Sequence, residues 1–283
     1  MPDVTLRGGA LDGLALHYVA RGRGPAVVLV HGLGGFAESW GGTMAALASR
    51  ATVYALDLPG FGRSAKPRAP YDLAYFAAAL EGFMDAVGIG HAALVGHSLG
   101  GAVSVAAALR RPARIDRIAL LGALVPGIDV PLSPAFRLLM VPGLGEALAL
   151  CGHARLYRVA LARCFHRPDD APLDFLVRAH YADRTCWSAR LAYLGTLRGV
   201  REDFERRGAG YRRALPTLSL PVLAIHGRQD PVVPEATCRA LAAALPGTDV
   251  RVIDACGHFP QIEHATTVND WLGEFLVVPS APR

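Results

Sequence analysis

Ser98 lies in the segment Gly96–Gly101 (GHSLGG), whose residue types suit a nucleophilic hydroxyl. The segment follows a short apolar run and precedes an alanine-rich stretch, so the serine is predicted at a sharp strand-to-helix turn. Glycines two residues to either side allow strand and helix to approach each other. At a helix N-terminus, backbone N–H groups and the helix dipole favour developing negative charge. Ser98 is therefore predicted to be a nucleophile, and a glycine-rich turn with a helix-capping serine is the alternative.

Two later loops supply the partners that a serine nucleophile requires. A hydroxyl is a poor nucleophile near neutral pH, so an imidazole must accept its proton and a carboxylate must orient that imidazole. Asp230 follows the apolar run Val222–Ile225, and His258 follows Val250–Ile253. Loops at the carboxyl ends of strands are where open α/β sheets place their sites. The sequence predicts His258 as the base and Asp230 as the acid behind it.

Other residues compete for these roles. Asp57 and Asp254 also follow apolar runs. Asp57 is predicted to cap backbone donors in its glycine-rich turn, and Asp254, four residues before His258, is predicted to cap that loop. The chain has ten histidines, and a lone histidine is more often structural. His31 is accordingly predicted to anchor its loop by hydrogen bonds.

The segment His31–Gly35 (HGLGG) is predicted to complete an oxyanion hole. Such a hole needs two backbone donors about 3 Å from the developing oxyanion. One donor is expected to be the N–H of Leu99, directly after the nucleophile, and the other the N–H of Leu33. A glycine-rich turn without a catalytic role is the alternative.

Apolar runs that alternate with longer helical patterns must position these loops. Strands that are apolar throughout and separated by helices indicate a parallel sheet covered on both faces. The first two strands flank a glycine-rich turn and are predicted to form an antiparallel hairpin at one edge. The fold class is α/β, with a doubly wound, mostly parallel sheet. The predicted strands are Val4–Arg7, Leu16–Ala20, Val27–Val30, Thr52–Leu56, Ala93–Val95, Ile118–Leu121, Val222–Ile225 and Val250–Ile253. The predicted helices are Glu38–Ala48, Leu73–Val87, Ser98–Arg110, Glu235–Leu245 and Thr267–Leu276.

One segment departs from this alternation. Residues 125–216 have helical patterns without a strand pattern, and Ser133-Pro134 is typical of a helix start. We predict an inserted helical cap over a core formed by residues 1–124 and 217–283; additional helices on one sheet face are the alternative. Five apolar residues are predicted to line a substrate pocket, with ordinary packing as the alternative for each. They are Phe136, Leu139 and Met140 on the cap, and Val232 and Phe259 on the core.

Composition excludes several classes of function. The excess positive charge lies in the middle segment, which has 14 arginines against 9 acidic residues, and no basic run with interleaved aromatics suggests nucleic-acid binding. Five scattered cysteines and the absence of a signal-peptide pattern lead us to expect a cytoplasmic protein without a membrane span. The pair Gly60 and Gly62 lacks the third glycine of a dinucleotide site, and no metal or Walker pattern occurs, so no cofactor is expected.

Five motifs together resemble the successive signatures of the α/β-hydrolase superfamily. In chain order they are HGLGG, DLPGFGRS, GHSLGG, HGRQDPVVP and CGHFPQIE, starting at residues 31, 57, 96, 226 and 256. The resemblance runs from about Val4 to Phe275 and leaves only the helical insert unplaced. It implies a cofactor-free serine carboxylesterase or lipase-like enzyme, with the insert as a lid over the acyl pocket.

Some activities of the superfamily match less well. Its dehalogenases and epoxide hydrolases use an aspartate nucleophile, and Ser98 occupies that position here. Its meta-cleavage-product C–C hydrolases keep the serine but typically carry asparagine before the nucleophile and tryptophan after the histidine. This chain has His97 and Phe259 at those positions.

The predicted function is hydrolysis of small or medium acyl esters through an acyl-enzyme. A meta-cleavage-product C–C hydrolase is the first alternative, followed by a cofactor-free perhydrolase. A non-catalytic ligand-binding protein has no need of three catalytic residues, although fold alone does not exclude it. The expected partner is a small-molecule ester; oligomeric state and acyl specificity are not indicated.

Overall fold

A computed structural model describes residues 3–183 and 185–276 of the chain. Its strands are β1 (Asp3–Thr5), β2 (Ala15–Gly22), β3 (Ala26–Val30), β4 (Thr52–Leu56), β5 (Ala92–His97), β6 (Ile115–Leu121), β7 (Val222–Gly227) and β8 (Asp249–Ile253). These described strands form one sheet in the order β1-β2-β4-β3-β5-β6-β7-β8. The pairs β1–β2 and β2–β4 are antiparallel, and all later pairs are parallel. The predicted edge hairpin and the mostly parallel sheet are confirmed.

Helices cover both faces of this sheet. They are α1 (Gly41–Leu47), α2 (Leu73–Ala86), α3 (Leu99–Arg110), α4 (Pro134–Met140), α5 (Leu144–Leu150), α6 (Ala154–Ala162), α7 (Asp170–Asp183), α8 (Trp187–Ala214), α9 (Ala236–Ala244), α10 (Pro260–Glu263) and α11 (Ala265–Leu276). One apolar core layer includes side chains of α2, α3 and α9, and a second includes those of α1 and α11. The fold is therefore a doubly wound α/β sheet, as the alternating patterns predict.

Element ends differ from the predicted bounds by a few residues. Strand β6 begins three residues before its predicted start, and the helix predicted over Glu38–Ala48 begins three residues late, at Gly41. A 3₁₀ turn over Ala37–Trp40 precedes it, and the Ala37 N–H donates to the Asp57 carboxylate at 2.6 Å. This tertiary hydrogen bond holds the start of the segment against the sheet, and no local pattern indicates it.

Among the described residues, five α-helices and no strand lie between β6 and β7. The two strands are parallel neighbours, with Leu121 opposite Ile225. The chain therefore leaves the sheet at the carboxyl end of β6, passes through the inserted helices and returns at the amino end of the neighbouring strand β7. Ser133 begins α4 as predicted: its hydroxyl accepts the Phe136 N–H, and Pro134 follows at the first helical position. The division into cap and core remains a prediction.

Helix α8, with 28 residues, attaches the insert to α2. The buried Asp203 carboxylate accepts hydrogen bonds from the backbone N–H of Leu73, at the start of α2, and from the hydroxyl of Tyr211 at 3.1 Å. It also forms an ion pair with Arg207 at 3.0 Å. Burial raises the pKa of Asp203 despite these donors. No helix in the described ranges is long and apolar enough to cross a bilayer.

Candidate active site

The turn between β5 and α3 presents Ser98 in a strained conformation. Its φ is 52° and its ψ is −118°, a backbone region that residues with a side chain rarely adopt. Gly96 and Gly100 are needed for close approach: a Cβ on Gly100 would lie 2.0 Å from the Val30 carbonyl oxygen, and one on Gly96 would lie 2.4 Å from that of Gly100. The predicted strand–turn–helix context is present.

The structure brings together Ser98, His258 and Asp230, which are far apart in the chain. The Ser98 Oγ is 3.0 Å from the His258 Nε2, and the His258 Nδ1 is 2.8 Å from the Asp230 Oδ2. All three residues are buried. Both distances are within the hydrogen-bond reach that proton transfer from serine to imidazole requires.

Asp230 is held as an ionised acceptor. Its Oδ1 accepts the N–H groups of Val232 at 2.8 Å and Val233 at 2.9 Å, which fixes the other oxygen toward His258. Burial by itself would raise the pKa of Asp230, but the charge and hydrogen bond of His258 and the two backbone donors lower it overall. His226 lies 3.5 Å from the same carboxylate and donates to the Val233 carbonyl.

The structure gives the competing residues other contacts. Asp57 accepts the N–H groups of Ala37 and Arg63 from its buried position, as predicted for a turn cap. Asp254 is exposed and forms an ion pair with Arg228. This contact differs from the predicted one, in which Asp254 caps the loop that carries His258, here called the histidine loop.

His31 anchors the turn that follows β3. Its Nδ1 donates to the Gly32 carbonyl at 2.7 Å, and its Nε2 accepts the Leu58 N–H at 3.0 Å. Both ring nitrogens are thus occupied by backbone groups.

The loop after β3 lies directly against the nucleophile. A Cβ on Gly32 would be 3.0 Å from the Ser98 Cβ and 2.9 Å from the His97 Nδ1. The next residue along, Leu33, and Leu99 at the start of α3 have backbone N–H groups that find no acceptor within the described part of the chain. Two unpaired donors beside a serine hydroxyl are what an oxyanion hole requires. The roles of Leu33 and Leu99 remain a prediction.

The histidine loop is packed against the insert through aromatic rings. The Phe259 ring stacks on His97 with centroids 5.0 Å apart and on Phe165 with centroids 4.8 Å apart. The His97 Nε2 donates to the His258 carbonyl at 2.8 Å, and the His258 N–H donates to the Cys164 carbonyl at 2.7 Å. Sequence reasoning missed Cys164 and Phe165, because nothing in the pattern of the insert indicates which turn meets the core.

Glu263 holds the same loop from the other side. Its Oε1 accepts the N–H groups of Gly257 at 3.0 Å and Phe259 at 3.3 Å, which flank His258 in the chain. Its Oε2 accepts the His166 N–H at 2.7 Å. One carboxylate therefore joins the insert to the histidine loop. Sequence reasoning also missed Glu263, because its only signal in the sequence is an acidic residue five positions after His258.

We expect Glu263→Ala to lower kcat about 100-fold, because a loop displacement of about 1 Å at a catalytic group has that effect. Glu263→Gln keeps one acceptor oxygen and is expected to fall between Glu263→Ala and wild type. Glu274→Gln, which alters an exposed carboxylate paired with Arg251, is the control. Kinetics should show a fall in kcat with little change in KM. Equal activity of Glu263→Ala and wild type at equal folded fraction would exclude this positioning role.

Two buried histidines near the site remain neutral. Burial lowers the pKa of His31 to about 4 and that of His97 to about 3. Below a pH of about 6.5 the unfolded chain binds protons at these two histidines, whereas the folded chain does not. As the pH falls, the free energy of unfolding therefore decreases by about 1.4 kcal/mol per pH unit for each histidine. Asp57 opposes this below pH 6, because burial raises its pKa to about 6.

Urea unfolding at a series of pH values is therefore expected to give a midpoint that declines below pH 6.5. In Asp57→Asn the opposing contribution of Asp57 is removed, so the midpoint should decline more steeply as the pH falls below 6. Imidazole resonances of His31 and His97 that titrate near pH 6.5 in the folded protein would contradict the prediction.

An apolar cluster lies beside the stacked rings. Its buried members are Phe36, Phe165, Leu173, Leu176 and Val177, and Phe259 and Ile262 pack against them. Helix α7 and the turn before it thus supply the apolar surface of the insert that meets the histidine loop. The structure places His180 of α7 here too, buried against Phe36 with ring centroids 5.8 Å apart.

The predicted pocket residues are dispersed. Phe259 is part of the aromatic stack, and the half-buried Val232 donates its N–H to Asp230. Phe136 and Leu139 are half-buried on α4, and Met140 lines a cavity of about 830 Å³ whose lining residues include none of Ser98, Asp230 and His258. A substrate pocket formed with α4 remains a prediction. Among the described residues no group of three histidine, cysteine or acidic side chains is placed to hold a metal ion.

A doubly wound sheet that places a serine, a histidine and an aspartate in hydrogen-bonded series on its strand ends is the architecture of an α/β hydrolase. The family model described as "Alpha/beta hydrolase family" matches residues 27–271. The chain belongs to this family and is a hydrolase.

Relatives extend along nearly the whole chain. A 2-hydroxymuconate semialdehyde hydrolase of Pseudomonas sp. is 29% identical over 279 residues, covering 92% of this chain and 89% of that protein. An uncharacterized protein of Mycobacterium tuberculosis is 31% identical and covers 90% of this chain and 76% of its own length. The solved structure of 2-hydroxy-6-oxo-6-phenylhexa-2,4-dienoate hydrolase from Rhodococcus sp. has a TM-score of 0.79 and 27% identity, covering 96% of this chain and 97% of that one.

Proposed function

We propose that the protein is a serine hydrolase of the meta-cleavage-product type, which breaks a C–C bond in 2-hydroxy-6-oxo-dienoate substrates. The observation that carries this proposal is the near full-length similarity to relatives of that description, together with the hydrogen-bonded Ser98, His258 and Asp230. The ester hydrolysis predicted from sequence is less well supported by these relatives and becomes the second candidate.

The site geometry suits attack on a ketone carbonyl. His258 accepts the Ser98 proton while Asp230 stabilises the imidazolium, and the Ser98 oxygen bonds to the carbonyl carbon. The N–H groups of Leu33 and Leu99 hold the resulting oxyanion. These steps are common to ketone and ester substrates, so the triad alone does not separate the two candidates.

Breaking a C–C bond requires an acceptor for its electron pair. In the tautomer with a 2-oxo group, the pair passes through the conjugated double bond to the 2-oxo oxygen and leaves a dienolate. His258 returns its proton to that product, and the acyl group stays on Ser98. Water, deprotonated by His258, then releases the carboxylic acid by the reverse sequence. No cofactor enters any of these steps.

His97 and Phe259 favour ester hydrolysis as the second candidate. They occupy positions where C–C hydrolases typically carry asparagine and tryptophan. The His97 Nε2 donates to the His258 carbonyl and its ring packs on Phe259, so this nitrogen is occupied within the protein. An ester needs no conjugated electron acceptor and makes fewer demands on such flanking groups.

A direct comparison of substrates tests the proposal. We expect kcat/KM for a 2-hydroxy-6-oxo-dienoate to exceed that for a p-nitrophenyl ester of matched acyl group by about 100-fold, since specific contacts worth about 2.7 kcal/mol separate them. Loss of dienoate absorbance and release of p-nitrophenolate provide the two readouts. Ester turnover without dienoate turnover, in protein whose ester activity is lost in Ser98→Ala, would assign the second candidate.

A further inference from the structure

Helices α4 and α5 contact α8, and α6 contacts α7, but the side of these three helices that faces away from α7 and α8 leaves large apolar side chains exposed. We call residues 134–163 the insert face. Gly145 is its only buried residue, whereas helices elsewhere in the described chain bury apolar stripes. Six large apolar side chains on it have 40–61% of their surface exposed. They are Leu138, Val141, Leu144, Leu150, Leu156 and Val159.

This exposure is confined to one part of the molecule. All nine of the large apolar side chains that the described residues expose lie between Leu138 and Leu191. Clustered exposed apolar groups mark a surface that contacts another phase or molecule. The insert face, with six of the nine, has this feature.

The charge on the same surface is positive. Residues 133–163 contain four arginines and one acidic residue, Glu146. Glu146 is bound by Arg198 of α8 at 2.6 Å, and Arg158 forms ion pairs with acidic residues of α7. Arg155 and Arg163 form no ion pair within the described ranges. The surface thus combines exposed leucines with uncompensated guanidinium groups.

Helix α6 has the composition of a helix that lies in a membrane interface. Leu156 and Val159 are three residues apart and exposed on one side of α6. The exposed Arg155 lies next to Leu156 in the chain, and the exposed Arg163 directly follows the helix. Such basic amphipathic helices bury their apolar face at the boundary of headgroups and acyl chains, while arginine binds lipid phosphate.

We infer that the insert face docks on an anionic phospholipid surface. Charge complementarity selects this occupant: a second copy of the chain using the same face would oppose two positive surfaces across a two-fold axis, which is unfavourable. Anionic headgroups instead neutralise Arg155 and Arg163 while the acyl boundary covers the leucines. This inference concerns binding and does not depend on the proposed reaction.

Vesicle sedimentation with the full chain tests it. We expect binding to phosphatidylcholine vesicles that contain phosphatidylglycerol, weaker binding at high salt, and little binding to phosphatidylcholine alone. Arg155→Gln with Arg163→Gln should lower the partition coefficient about 25-fold, since each arginine near an anionic surface contributes about fivefold. Arg7→Gln with Arg50→Gln, two exposed core arginines, is the matched charge control and should bind like wild type.

A second variant tests the apolar contribution. Leu156→Ser with Val159→Ser should reduce vesicle binding at least about tenfold, because the apolar area lost from the interface is that of two aliphatic side chains. Both residues are exposed, so the melting temperature should stay near that of wild type. Equal binding to neutral and anionic vesicles, or none to either, would overturn the inference. So would a dimer that Leu156→Ser with Val159→Ser dissociates, which would identify a second copy as the occupant.

Discussion

Ser98→Ala is expected to lower kcat about 10⁶-fold, the loss typical of removing the nucleophile from a triad. The Ser98 Oγ is the atom 3.0 Å from the His258 Nε2, and no other hydroxyl is hydrogen-bonded to that nitrogen within the described residues. Alanine keeps the Cβ, so the strained turn between β5 and α3 should form unchanged. Turnover of the preferred substrate, measured at equal folded fraction by circular dichroism, checks the expectation.

Covalent labelling provides an independent control for this variant. A fluorophosphonate should modify wild-type protein at Ser98 and leave Ser98→Ala unmodified, as peptide mass spectrometry will show. Ser104 is a suitable comparison, because it is a buried serine of α3 whose hydroxyl donates to the Gly100 carbonyl. Wild-type turnover in Ser98→Ala, or labelling at another serine, would remove Ser98 as the nucleophile.

Asp230→Asn is expected to lower kcat about 10⁴-fold, because an amide presents an N–H where the His258 Nδ1–H needs an acceptor and so favours the wrong tautomer. Burial leaves little room for water to replace the carboxylate. The N–H groups of Val232 and Val233 retain an oxygen acceptor in the variant, so the loop itself should persist. Steady-state kinetics and thermal unfolding together separate the catalytic effect from a structural one.

Two other aspartates serve as controls for Asp230→Asn. Asp254→Asn removes an exposed ion pair with Arg228 and should change stability by less than about 1 kcal/mol. Asp57→Asn should act on stability through the donors of Ala37 and Arg63 and leave kcat near wild type. If Asp254→Asn lost more turnover than Asp230→Asn at an equal folded fraction, Asp230 would not be the carboxylate that orients His258.

The sheet, and the placement of Ser98, Asp230 and His258 in loops at its strand ends, were predictable because each depends on a local sequence pattern. Apolar runs define β3 to β8, and the glycines around Ser98 specify a close approach that only one kind of turn provides. The carboxyl ends of parallel strands then bring Asp230 and His258 to the same edge.

The arrangement of the insert was not predictable in the same way. An amphipathic pattern shows that a helix has an apolar side but does not show what that side meets. The aromatic contacts of Phe165 and the carbonyl of Cys164 that receives the His258 N–H depend on tertiary packing alone. The stacked position of Phe259 against His97 likewise depends on two loops that are far apart in the chain, the same two that carry His258 and Ser98, which are 160 residues apart.

The adjacency of β6 and β7 makes the insert exchangeable in principle, since any segment long enough to cross from the carboxyl end of β6 to the amino end of β7 can join them without moving the sheet. The Cys164 carbonyl limits that freedom. A replacement insert that offered no acceptor at this point would leave the His258 N–H buried and unpaired, which costs about 1–3 kcal/mol. Exchange of inserts between relatives should therefore retain catalysis only where the new segment returns a carbonyl to the histidine loop.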